Sequence, residues 1–151
     1  MCKPNSLASP YRLVGTLSDD SPLAASGCES SSPSPAPQMV VRFGYLDDPS
    51  GAQEFLARVS RPSLIDSIRA EFALPVEQRH FPNGLLRPAV GSENLAWRWA
   101  FEVDGWHLTD NAIELCDGTP QYLHDHFDAW LTEVGHYCPW SAFVKDTAWV
   151  R

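Results

Sequence analysis

Two cysteines flanking a well-capped helix set the tightest condition on how this chain can fold. The run Ala112-Ile113-Glu114-Leu115-Cys116-Asp117 is short and apolar, and predicts a strand over 113–116. Thr119 stands where an N-cap belongs, with Pro120 at the first helical position. Leu123, Phe127, Trp130, Leu131 and Val134 follow at helical spacing and make one apolar stripe, so the spacing predicts a helix over 120–134. Gly135 stands where a C′ residue closes a helix. Then comes His136-Tyr137-Cys138-Pro139-Trp140. A helix of that length spans about 22 Å. Bridging Cys116 and Cys138 needs Cα atoms within about 7 Å. The expectation is that the two come close only if the last strand pairs beside 113–116. A disulfide, two buried thiols and metal ligation all remain open for the pair.

The rest of the chain divides by composition. Residues 1–38 are rich in Ser and Pro and predict a disordered tail, because they offer little apolar surface to bury. Ala24-Ala25-Ser26-Gly27-Cys28 resembles a lipoprotein cleavage site, but no apolar stretch precedes it. No credible export signal is therefore expected as written, and the location is open between cytoplasm and secretion. From residue 39 to 151 the pattern is that of one domain. Val41, Phe43 and Tyr45 alternate with polar or small residues and predict a strand. Asp48-Pro49 predicts a helix start, with Ala52, Phe55, Leu56 and Val59 on its apolar side and Pro62 breaking it. Ser63 and Asp66 suggest a capping box for a second helix carrying Leu64, Ile65, Ile68 and Phe72. A strand over 80–87 holds Pro82 and Asn83-Gly84, which suggest an edge or a bulge. Trp97, Trp99, Phe101 and Val103 alternate as the best strand of the chain, and Asp104-Gly105 predicts a tight turn after it. A closing strand runs over 141–150. This order predicts an α+β fold, a mainly antiparallel sheet with helices packed on one face.

Charge narrows the partners. The formal net charge is −8, which argues against nucleic acid and against anionic membrane, since both need a positive surface. No apolar run is long enough to span a bilayer.

Three constellations carry chemistry. Cys116, His126, His136 and Cys138 offer a nitrogen and sulfur set of the kind zinc takes, though their spacing fits no standard zinc signature. His124 and His126 point about 160° apart on a regular helix and cannot share one ion from it. Cys116 before a helix start, with His126 or His136 as base, would make a nucleophile, but Asp117 opposes the lowered thiol pKa this needs. Trp106 and Trp140 fall at turns, where exposed aromatics mark binding surfaces. The candidate binding residues are thus Trp106, Trp140, Cys116, Asp117, His126, His136 and Cys138. No cofactor and no catalytic set is called for.

The run 113–117, the helix beginning near Tyr122 and the Cys138-Pro139-Trp140-Ser141 ending resemble the N-terminal domain of a slime-mould calmodulin-binding protein and the small bacterial proteins related to it. Asp48-Pro49 after the opening strand, Gly84-Leu85-Leu86 and the strand opened by Trp97 follow the same order. The resemblance covers residues 40–140. It implies a shared role for the two cysteines; neither an enzymatic activity nor a catalytic residue set is implied by it. A calmodulin-type partner is implied by the family label alone. Calmodulin grips basic amphipathic helices, and the best helix here holds Asp125, Asp128 and Glu133 with no Lys or Arg. The expectation is a small non-catalytic binding module for an unknown protein or small-molecule ligand. The alternative is an enzyme or zinc-binding protein centred on Cys116, His126, His136 and Cys138.

Overall fold

The computed structural model describes residues 32–151, and Ser34–Arg151 forms one unit. The expected tail falls almost wholly outside the described residues; residues 32–37 carry no regular element and are exposed. The chain then runs β1 (Gln38–Tyr45), β2 (Phe55–Val59), α1 (Pro62–Glu71), β3 (Phe81–Pro88), β4 (Trp99–Thr109), α2 (Pro120–Asp125), α3 (Phe127–Glu133), β5 (His136–Tyr137) and β6 (Ala142–Val150). The fold is α+β. Its strands form two antiparallel sheets of three rather than a single one, in the orders β2-β1-β6 and β4-β3-β5.

Alternation drives the first sheet. Met39, Val41 and Phe43 point inward from β1 and Phe55, Ala57 and Val59 from β2, all nearly inaccessible. The expected helix over 49–59 is therefore corrected to a turn and a strand. Phe55 and Val59 are four apart, which suits a helix, but they also sit two either side of Ala57, which suits a strand. Pairing with β1, from Met39 opposite Val59 to Phe43 opposite Phe55, decides between them. Asp48 caps a turn instead of a helix, accepting hydrogen bonds from Ser50 Oγ at 2.5 Å and Gln53 N at 2.7 Å. Those bonds hold its carboxyl below the usual range.

Pro62 opens α1 rather than ending a helix, and the Ser63–Asp66 capping box does not form. The cap comes from across the fold. The Asp104 carboxylate accepts from Ser60 N at 2.7 Å, from Arg61 N at 2.9 Å and from Ser60 Oγ. Leu64, Ile65 and Ile68 of α1 are buried, whereas Phe72 is exposed.

The second sheet also departs from expectation. Asp104-Gly105 is not a turn between strands: β4 runs straight through it. Phe101 to Trp106 on β4 lies opposite Leu86 to Gly84 on β3, so β4 bulges there, and Asp104 takes a φ of 59°. Gly84 is needed at this place, since a Cβ would collide with Trp106. The bulge expected near Asn83-Gly84 is present, but β3 is the central strand of its sheet rather than an edge.

The two sheets share one core. The Phe55 ring stacks on Phe43 of its own sheet at 5.0 Å and meets Trp99 of the other at 5.2 Å. Trp106 meets Phe43 edge-on at 5.6 Å. Leu123, Phe127 and Trp130 bury the stripe of α2 and α3 in the same core.

Candidate binding surface

The segment from Asp110 to Gly118 is where structure and sequence part most usefully. The strand expected over 113–116 is corrected to a single 3-10 turn, Glu114–Cys116. Only Cys116 of that run is buried; Ile113 and Leu115 are 68% and 66% exposed. The expected long helix is two short ones. Thr119 caps α2 by accepting from Tyr122 N at 3.1 Å, with Pro120 following, as the sequence indicates. At His126 the backbone leaves helical geometry (φ −115°, ψ 20°), and its Nδ1 bonds the Tyr122 carbonyl at 2.9 Å. Gly135 at φ 72° then reverses the chain.

That reversal brings the cysteines together. Trp130 Nε1 donates to His136 O at 2.7 Å, and β5 pairs with β3, so the returning chain lies along the helix it has just left. Cys116 and Cys138 form a disulfide with Cα atoms 5.2 Å apart. The final strand plays no part in this, because β6 pairs with β1. The expectation that helix length keeps the sulfurs apart unless β6 pairs beside Cys116 is thus corrected.

Three further bonds stitch the two segments. Cys138 N donates to Cys116 O at 2.8 Å, Trp140 N to Asp117 Oδ1 at 2.9 Å, and Tyr137 OH to Gly118 O at 2.8 Å. Burial pushes the Tyr137 hydroxyl pKa well up, and the nearby Tyr45 and Asp117 add to it, so it stays a neutral donor. Burial also raises Tyr45, with Asp117 adding to the effect and a hydrogen bond with Ser141 opposing it.

Of the residues singled out in the sequence, five lie together around this stitch: Cys116, Asp117, His136, Cys138 and Trp140. His126 faces solvent on the neighbouring helix, stacked on Tyr122 at 4.2 Å. Trp106 is misplaced by the sequence reading. It is 1% exposed, inside β4, with Nε1 donating to Arg58 O, so it belongs to the core. Trp140 is 43% exposed. With both sulfurs in one bond, neither cysteine offers the thiolate that the zinc set or the nucleophile requires. Among the described residues no group of three or more His, Cys, Asp or Glu has metal-binding geometry.

Sequence reasoning misses Ile113, Leu115 and Tyr122 as surface residues. The only signal for them is that Ile113 and Leu115 flank Glu114 in a run too short to be a secure strand. Leu115 forms a ridge between two grooves. One, of about 380 Å³, lies between Asn83, Ile113 and Val134; the other, of about 420 Å³, between Asp117, Tyr122 and Trp130. Glu133 lines both.

The arrangement is that of a small α+β domain presenting apolar side chains on a covalently braced loop. The model of the BP-74 N-terminal domain family matches residues 40–149, and the chain belongs to that family. No curated protein and no solved structure matches it. The match spans β1 to β6 and includes the whole stitched surface.

Proposed function

We propose that the domain is a non-catalytic binding module whose contact surface is the braced loop at 110–118 with Tyr122 and Trp140. The observation that carries this is the exposure of Ile113, Leu115, Tyr122 and Trp140 around a buried disulfide. A binding surface gains from such rigidity, because little order is lost on association. Large apolar side chains clustered in the open favour contact with a partner over simple solvation. The calmodulin-type partner finds no support in α1, whose one arginine, Arg69, stands with Asp66 and Glu71. Its apolar side chains Leu64, Ile65 and Ile68 are spent on the core.

The test is a fragment and glycan screen followed by tryptophan fluorescence. A ligand of this surface changes the emission of the natural chain and loses most of that change in Trp140→Phe. A ligand whose signal and affinity survive both Trp140→Phe and Leu115→Ser binds elsewhere, and the surface would then be wrongly placed.

A further inference from the structure

The groove between Asn83, Ile113, Leu115 and Val134 combines two features. Ala112, Ile113, Leu115 and Val134 give it an aliphatic wall. Glu133 stands on its lining, with His136 beside that wall. The segment that supplies most of its lining carries formal charge of one sign. Between residues 110 and 140 stand Asp110, Glu114, Asp117, Asp125, Asp128 and Glu133, with no Lys or Arg. Asp128 is bonded to Arg98 and Asp117 to the Trp140 amide. Among the described residues no ion pair engages Glu114 or Glu133.

We propose that this groove receives a lysine or arginine side chain from a basic amphipathic segment of a partner protein. The proposal rests on the binding-module reading and names its partner chemistry. The aliphatic stem of such a side chain lies along Ile113, Leu115 and Val134, as long cationic side chains do on apolar surface. Its N–H groups reach the carboxylate of Glu133. An apolar neighbour on the same segment crosses the Leu115 ridge to the second groove, beside Tyr122 and Trp130. Charge complementarity selects this class over an acidic segment, which would meet Glu114 and Glu133 unpaired.

The experiment uses the full chain purified under oxidising conditions and a fluorescein-labelled peptide of lysines and leucines in helical register. Binding is read as fluorescence anisotropy. Two further peptides replace each lysine by glutamate or each leucine by serine. Glu133→Lys and Leu115→Ser each weaken binding by about tenfold or more, the size of a lost anchor. Asp66→Lys, the same charge change on exposed α1 and outside the lining of both grooves, stays within about twofold, because salt screens a surface charge that the peptide does not touch. The glutamate and serine peptides bind far more weakly than the parent. Far-UV circular dichroism checks that each variant is folded. Three results overturn the proposal: no binding of the parent peptide, equal weakening by Asp66→Lys, or undiminished binding of the serine peptide. Should the parent peptide fail while a neutral fragment still alters Trp140 emission, the partner chemistry is wrong and the binding surface stands.

Discussion

Asp104 shows how one side chain can be present in the sequence and still be misread. Asp-Gly is the strongest short turn signal there is, and here it makes a bulge. The left-handed backbone at Asp104 (φ 59°) aims its carboxylate at the start of α1. A sequence does not reveal that the donors, Ser60 and Arg61, lie more than forty residues upstream. Replacing Asp104 by Ala removes charge-assisted bonds to both, so it should cost about 2 kcal/mol in urea unfolding. The same residue makes stability depend on acidity. Burial pushes the Asp104 carboxyl up, but the bonds from Ser60 and Arg61 outweigh it and leave it below its ordinary value. Hydrogen bonds with Lys145 lower Glu54, and those with Arg87 lower Glu93. The folded chain therefore holds these groups ionised where the unfolded chain already takes up protons. Their contribution is full above about pH 5 and fades as pH falls through and below the ordinary carboxylate range near 4. The melting temperature should fall accordingly on acidification, and less steeply in Asp104→Asn. Equal slopes for the two proteins would remove Asp104 from the acid response.

At the scale of elements, local signals are legible wherever the deciding contacts are local. The Thr119 cap with Pro120, the Gly135 reversal and the Leu123, Phe127 and Trp130 stripe all read correctly, because capping and helical periodicity act within a few residues. The alternation of β1 and of Trp99 and Phe101 reads correctly too. Failures occur where a distant strand decides, as at Phe55–Val59, or where a disulfide does, as at Glu114–Cys116. In the second case the apolar run points to the interior, and only Cys116 is there. The two faces of this region should respond differently to substitution. Trp130 is buried and bonded through Nε1, so Trp130→Ala should cost about 3–5 kcal/mol. Leu115→Ser, on the open ridge, should change stability by no more than about 0.5 kcal/mol. Comparable losses in chemical denaturation would mean that Leu115 is packed rather than presented. Replacing Cys116 and Cys138 together by Ala should cost about 3 kcal/mol for a loop of this length in the chain-entropy model. Comparing the urea midpoints of oxidised and double-variant protein measures it.

For the whole molecule, the sharing of one core by two sheets matters more than the count of sheets. Phe55 of the first sheet touches Trp99, Phe101 and Tyr137 of the second. Neither sheet keeps a complete interior without the other. Thermal unfolding should therefore be one transition, with tryptophan emission and far-UV circular dichroism coinciding. Two separated midpoints would show that the sheets fold apart. The stitched loop adds a property of a different kind. From Cys116 through both helices to Cys138 the main chain and the sulfur bond close a covalent ring across 22 positions. A backbone opened anywhere inside that ring loses no piece of itself. An endoprotease cutting after exposed Glu133 would yield a nicked molecule that runs as one band on a non-reducing gel and as two fragments once a thiol is added. The face proposed to meet a partner is also the face where this chain can be cut and remain whole.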